Sequence, residues 1–222
     1  MTTLEGSVVL VLGATGGLGS RIAARLEDGG ATVVRSSRSG GQDLRSPAAV
    51  REVLEGVMAQ HSRLDGVVVA AGVVAFGAAA DLDPATVDEL FAVNTTSVME
   101  LIAGAQPHLA ESARAGREPF VVTLSGVVAE APVAGLATYS ASKAALAAFA
   151  VAAGREFRRA GIRILDARPG HTGTALSEHP IAGRAPKFGA ALDPDAVAAR
   201  IITAIIDGEK DLPSTAFAGA GS

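Results

Sequence analysis

Tyr139 and Lys143 stand four residues apart in Tyr139-Ser140-Ala141-Ser142-Lys143. On a helix that spacing puts both side chains on one face. A phenol ionises near pH ~10, too high for proton transfer at neutral pH. A nearby ammonium favours the phenolate and is expected to lower that value. Such a phenol can give a proton to a carbonyl oxygen as hydride reaches the carbon, and can take it back in the reverse direction. Tyr139 is the only tyrosine in the chain. Alone, the pair is a weak signal and reads more readily as a boundary tyrosine beside a solvated lysine.

A second motif gives the pair meaning. Gly13-Ala14-Thr15-Gly16-Gly17-Leu18-Gly19 follows an apolar run, Ser7 to Leu12, and precedes a helical one, Leu18 to Asp28. A pyrophosphate must come close to backbone N–H groups. Glycines permit that approach, and a helix N-terminus supplies the positive end of a dipole. The spacing is Gly-x-x-x-Gly-x-Gly, with Ile22 where the commoner dinucleotide fingerprint has a third glycine or alanine.

The elements that must hold these motifs alternate. Strands are expected at Ser7 to Leu12, Thr32 to Ser36, Gly66 to Ala70, Phe120 to Leu124 and Ile162 to Ala167. Helices are expected at Leu18 to Asp28 and after Ser46-Pro47. Others are expected from Asp83-Pro84 to about Ala113 with a break near Asn94, at Thr138 to Arg159, and from Asp193-Pro194 to near Gly208. Continuously apolar strands alternating with helices predict a parallel sheet covered on both faces. The fold class is therefore α/β: a doubly wound parallel sheet (Rossmann fold), three-layer α/β/α. Residues 1–222 read as a single domain, and Ala218 to Ser222 as a frayed end.

Bulk properties narrow the function. The chain has 222 residues, 49% of them hydrophobic, a net charge of -4 and no cysteine. Disulfides and thiolate chemistry are excluded. Without a basic run, neither nucleic acid nor an anionic membrane is an expected partner. No histidine forms a metal-ligand spacing, so no metal is expected. A cytoplasmic location is expected, since no signal-peptide pattern opens the chain.

Taken together, the motifs resemble the short-chain dehydrogenase/reductase family over nearly the whole chain. Phe91-Ala92-Val93-Asn94-Thr95 resembles the segment bearing that family's active-site Asn, which holds a water in a proton relay with the Lys. The resemblance implies an NAD(P)(H)-dependent oxidoreductase acting on a small-molecule ketone, aldehyde or alcohol. Its catalytic residues would be Tyr139, Lys143, Asn94 and a serine. It also implies a dinucleotide held by Gly13, Thr15, Gly17, Leu18 and Gly19, with Ala71, Gly72, Pro169, Gly170 and Thr172 or Thr174 about the nicotinamide. Asp43 and Leu44 match the adenine position. Ser37 and Arg38 fall where the family chooses between NAD and NADP. The cation at Arg38, with no acid beside it, favours NADP(H). A substrate lid is implied at about 170–192, and a homodimer, or else a homotetramer, through the Ala-rich helix after Tyr139.

Two departures stand out. The asparagines that usually precede Gly72 are Ala or Val here. The family's catalytic serine usually lies thirteen residues before the Tyr, where this chain has Gly126, with Ser125 one residue earlier. A one-residue shift on a strand reverses the side chain's face, although a bulge could restore it. Ser125 is the candidate oxyanion partner, with Thr123, a substrate group or water as the alternatives. The alternative to an enzyme is a non-catalytic NADP(H)-binding sensor or scaffold with a degenerate site. An epimerase or dehydratase on a sugar nucleotide ranks lower.

Overall fold

The computed structural model describes residues 1–41 and 43–221. Six parallel strands form one sheet: β1 (Val8–Leu12), β2 (Thr32–Ser36), β3 (Gly66–Val69), β4 (Phe120–Leu124), β5 (Arg163–Ala167) and β6 (Asp211–Leu212). Their order is β2-β1-β3-β4-β5-β6. All five residues of β1 are buried, because neighbouring side chains serve different layers. Val8, Leu10 and Leu12 enter the core beneath α2 (Pro47–His61), α4 (Ser97–Arg114) and α5 (Ala137–Phe157). Val9 and Val11 enter the core beneath α1 (Gly17–Asp28) and α6 (Pro194–Asp207). Alternation on a strand covered on both faces demands apolar residues at every position.

The expected strands and helices are present, with ends shifted by a residue or so. Asp83 caps α3 (Pro84–Phe91) by accepting the Thr86 N–H at 3.0 Å. Asp193 caps α6 through the N–H groups of Asp195 and Ala196. Ser46 takes the N-cap position of α2, but its hydroxyl makes no capping bond. The break near Asn94 is a π turn, Ala92–Thr96, between α3 and α4. Such wide turns occur often at functional sites.

Two features differ from expectation. The chain end is not frayed up to Gly221. Phe217 and Ala220 are buried, Gly221 bridges Leu192, and the Asp193 N–H donates to the Ala220 carbonyl at 2.8 Å. Burying those apolar side chains against the α1–α6 layer outweighs the entropy of a free tail. The sheet has as many strands as the dinucleotide order 3-2-1-4-5-6, but its edges differ: β2 is an edge strand, and β6 extends the opposite edge beyond β5. Among the described residues no strand pairs with the outer side of β2. A short 3-10 turn, Arg38–Gly40, follows β2 on the way to α2. The strand is accordingly half-exposed, with Thr32 and Arg35 facing water.

Candidate active site

The chain reverses its direction of sheet growth between β1 and β3, since β2 lies on one side of β1 and β3 on the other. Ligands of open parallel sheets bind beyond the strand C-termini at such a switch point. The loops after β1, β3, β4 and β5 all open there; the π turn at Asn94 and the first turns of α5, with Tyr139 and Lys143, lie against them.

The glycine turn after β1 packs tightly on the loop after β3. A Cβ at Gly19 would lie 2.2 Å from the Gly13 carbonyl oxygen, so only glycine lets α1 start this close to β1. The first turn of α1 has neither a side-chain cap nor an acidic residue. Its leading N–H groups are therefore left for an anion, and Thr15 and Leu18 frame them. This cradle fits a pyrophosphate. Thr174, not Thr172, is the lid threonine that meets it. The Thr174 side chain lies against Gly17, whereas the Thr172 hydroxyl donates to its own loop at the Gly170 carbonyl, 3.0 Å away.

At the far end of β2, Ser37 accepts the Gly40 N–H at 3.2 Å and opens the turn that carries the exposed Arg38. Asp43 is engaged by Arg45 at 2.6–3.0 Å. Those hydrogen bonds hold its carboxyl down to about 2. Its carboxylate oxygens are thus already shared before any adenine arrives. Leu44 packs on the core.

The candidate catalytic side chains come from three elements. Asn94 is fully buried in the π turn. Its Oδ1 accepts the Val73 N–H at 2.9 Å, and its Nδ2 donates to the Val73 carbonyl at 2.9 Å and to Ser142 Oγ at 3.2 Å. Ser142 Oγ donates to the Tyr139 carbonyl, and Thr95 Oγ1 donates to the Ser142 carbonyl. The π turn, the loop after β3 and the first turns of α5 are thereby fastened together. Ser142 and Thr95 escaped the sequence reading, because a hydroxyl in an Ala-rich helix carries no distinctive signal. Gly72 lies where a Cβ would stand 3.2 Å from Asn94 Oδ1 and 3.4 Å from Lys143 Nζ, so it borders both candidate groups.

Lys143 is buried, and its Nζ donates to the Leu124 carbonyl at 2.7 Å. Burial brings its pKa down to about 8, against the pull of Asp166. The ammonium lies 5.9 Å from the Tyr139 ring centroid. Burial also pushes the Tyr139 phenol up to about 12, which corrects the expectation of a lowered phenol in the ligand-free chain. The reason is desolvation: the phenol sits in the apolar cluster with Val74, Phe76 and Leu136, which disfavours its charged form.

Ser125 is likewise corrected. It is fully buried, and its hydroxyl donates to Asp166 Oδ2 at 2.6 Å. Thr123 Oγ1 donates to Asp166 Oδ1 at 2.7 Å, and Arg168 Nη1 to Oδ2 at 3.0 Å. Both hydroxyls share the face of Val121, as period-two alternation requires, and both serve the buried carboxylate. Gly126 has φ +78° and ψ 165°, a region open essentially to glycine alone. No bulge turns Ser125 outward, and a serine at 126 would be strained. Asp166 was legible in principle, as the one charged residue in the apolar run Ile164 to Ala167.

The lid is closed. Ile181 N–H donates to the Val74 carbonyl and Phe76 N–H to the Ala182 carbonyl, each at 2.9 Å. Beneath it, Val74, Phe76 and Leu136 form a small apolar cluster with Val128, Tyr139 and Phe188. His171 stacks on Phe188 with centroids 4.2 Å apart. Leu176 and His179 face solvent. Pro169 and Gly170 connect β5 to His171, and the Pro169 carbonyl accepts the Val127 N–H at 2.9 Å.

A parallel sheet with a switch-point glycine cradle and a polar tyrosine-lysine cleft defines a dinucleotide-binding protein of the doubly wound class. The family profile described as short chain dehydrogenase matches residues 40–183. The 2,3-dihydro-2,3-dihydroxybenzoate dehydrogenase of Escherichia coli (strain K12) is 31% identical over 182 residues, covering 78% of this chain and 72% of that protein. The cyclic-di-GMP-binding biofilm dispersal mediator protein of the same strain is 31% identical over 183 residues, covering 77% and 75%. A crystal structure of 3-ketoacyl-(acyl-carrier-protein) reductase from Brucella melitensis, complexed with NADH, superposes with a TM-score of 0.86. It is 24% identical, and the match covers 95% of this chain and 97% of that one. This chain belongs to the short chain dehydrogenase family. It is a nicotinamide-dependent oxidoreductase of that type. No helix among the described residues is long and apolar enough to cross a membrane.

Proposed function

We propose that the protein is an NADP(H)-preferring carbonyl reductase, reversible as an alcohol dehydrogenase, with Tyr139 as its acid and base. The observation that carries this reading is the Tyr139 phenol in the lid-covered apolar cluster, with Lys143 and Asn94 fastened beside it. When bound, the nicotinamide supplies or accepts the hydride. The α1 cradle, from Gly13 through Thr15, Gly17, Leu18 and Gly19, holds the pyrophosphate. Arg38 meets the 2′-phosphate, and Thr174 closes over the cradle. Lys143 orients the ribose, and Tyr139 moves the proton at the carbonyl oxygen. The Asn94 side chain is spent on Val73 and Ser142, so any contact it makes to a relay water falls to its main chain. The apolar wall of Phe76, Leu136, Val128 and Phe188 suits a substrate whose carbonyl carries an apolar substituent. A homodimer through the exposed Ala141, Ala148, Val151 and Ala152 of α5, and work in the cytoplasm, belong to the same proposal. Small residues there let a second helix approach closely.

The test is Tyr139→Phe, read by NADPH oxidation and by NADPH binding. Turnover is expected to fall by about 100- to 10,000-fold with binding kept. A variant that still turns over at the wild-type rate ends this mechanism. A second reading, a nucleotide-binding regulator, is motivated by the diversion of Ser125 to Asp166. It predicts NADPH binding without turnover in the wild-type chain itself.

A further inference from the structure

The missing serine leaves the reaction one hydrogen-bond donor short, and the structure offers a replacement from the adjoining loop. Gly126 and Val127 run beside the end of β5: the Gly126 N–H donates to the Ala167 carbonyl and the Val127 N–H to the Pro169 carbonyl. A Cβ at Gly126 would meet nothing nearer than the Pro169 oxygen at 3.7 Å. Space where a serine hydroxyl could stand is therefore open and bordered by the loop after β5. Two residues beyond Pro169 comes His171. Its ring lies 4.2 Å from that of Phe188 in a stacked arrangement, and Phe188 packs on the cluster that holds Tyr139 and Val128. The main chain is fixed too, since the His171 carbonyl accepts the Leu192 N–H at 2.8 Å. Neither ring nitrogen has a hydrogen-bond partner among the described residues. Among the described residues the one buried, unpartnered side-chain polar atom is Ser140 Oγ, so the His171 nitrogens lie in space that solvent or substrate can reach.

We propose that His171 donates the second hydrogen bond to the substrate's carbonyl oxygen, the role that Gly126 cannot fill. The inference rests on the carbonyl reductase reading above. An imidazole carries at least one N–H in either protonation state, so the donor persists across the working pH range. In the reaction, hydride adds to the carbonyl carbon and the C=O π pair moves to oxygen. Tyr139 delivers the proton to that oxygen, while the His171 N–H polarises the bond and keeps its own proton. Stacking on Phe188 holds the ring in place, as an oxyanion donor requires.

The test uses the full chain with NADPH and two probe carbonyls, 4-nitrobenzaldehyde and 9,10-phenanthrenequinone. His171→Phe preserves an aromatic ring against Phe188 but removes both donors. It is expected to lower kcat roughly 100-fold, with NADPH affinity and melting temperature unchanged. His171→Gln, which restores a donor, is expected to recover part of that loss. A Phe variant that keeps its kcat within about twofold, or a Gln variant no better than Phe, overturns the proposal. Tyr139→Phe is run alongside: if it retains turnover, the reading of the site fails, whatever His171 does. Should wild type reduce neither probe, the imidazole proton–carbon NMR signals of the NADPH-bound chain are followed during addition of acetophenone. The proposal requires a saturable shift at His171 that His61 and His108 do not share, and a stationary His171 signal overturns it.

Discussion

Two buried aspartates of like construction sit at opposite ends of the sheet. Asp65, just before β3, accepts the Val8 N–H and the Arg63 guanidinium, each at 2.8 Å, and the Ser112 hydroxyl. Asp166, near the end of β5, accepts Thr123, Ser125 and Arg168. Each carboxylate is almost wholly buried and is stabilised by hydroxyls and by arginine, as a charge in a low-dielectric interior must be. The partners differ in consequence. Asp65 ties β1 and α4 to the sheet's N-terminal edge, away from the candidate site. Asp166 stands at the C-terminal edge, pulls Ser125 away from the cleft and acts electrostatically on Lys143. Arg168 also reaches Glu130 at 2.5 Å and Asp211 at 2.6 Å, and these carboxylates raise its pKa despite its burial. One chemical device thus serves stability at one end of the strands and shapes the site at the other. Position on the sheet decides which.

The comparison can be broken most decisively by truncating both residues. Asp65→Ala and Asp166→Ala are each expected to cost about 3–5 kcal/mol of stability, measured by denaturant unfolding. Only Asp166→Ala, or the milder Asp166→Asn, is expected to change the pH dependence of turnover as well. Equal pH profiles in the two variants would remove Asp166 from the site's electrostatics.

A subtler probe is the ultraviolet titration of Tyr139, made clean by the lack of other tyrosines and of tryptophan. In the ligand-free chain the phenolate is expected to appear near pH 12, not 10. Because the folded value is the higher one, the associated stability is full below the unfolded value of about 10 and is lost as pH rises through 12. Addition of NADP⁺ is expected to lower the midpoint. A ligand-free midpoint at or below 10 would mean that the Lys143 ammonium already outweighs burial. The smallest effect belongs to the exposed rim. Arg38→Ser is expected to reduce the preference for NADPH over NADH by roughly tenfold, the loss of one charge-assisted contact, with NADH affinity unchanged.

The strand and helix pattern was legible because each element is apolar at the positions its own period demands. Tyr139, Lys143 and the Gly13–Gly19 turn were legible because their chemistry needs fixed local spacings, four residues on a helix and a short loop before one. The fate of Ser125 was not, for a one-residue offset decides only which face it shares. What it meets there is Asp166, 41 residues further on. Nor could local sequence distinguish Thr172 from Thr174, since the choice depends on which hydroxyl the lid's path leaves beside Gly17. The phenol was expected to fall and instead rises, because side-chain spacing says nothing of desolvation. The sequence by itself determined the sheet, the glycine cradle and the placing of Tyr139 and Lys143 on one helix face, all of them consequences of short-range periodicity. Tertiary structure alone decided which polar groups remain free to act, because only long-range packing settles which hydroxyls and charges consume one another.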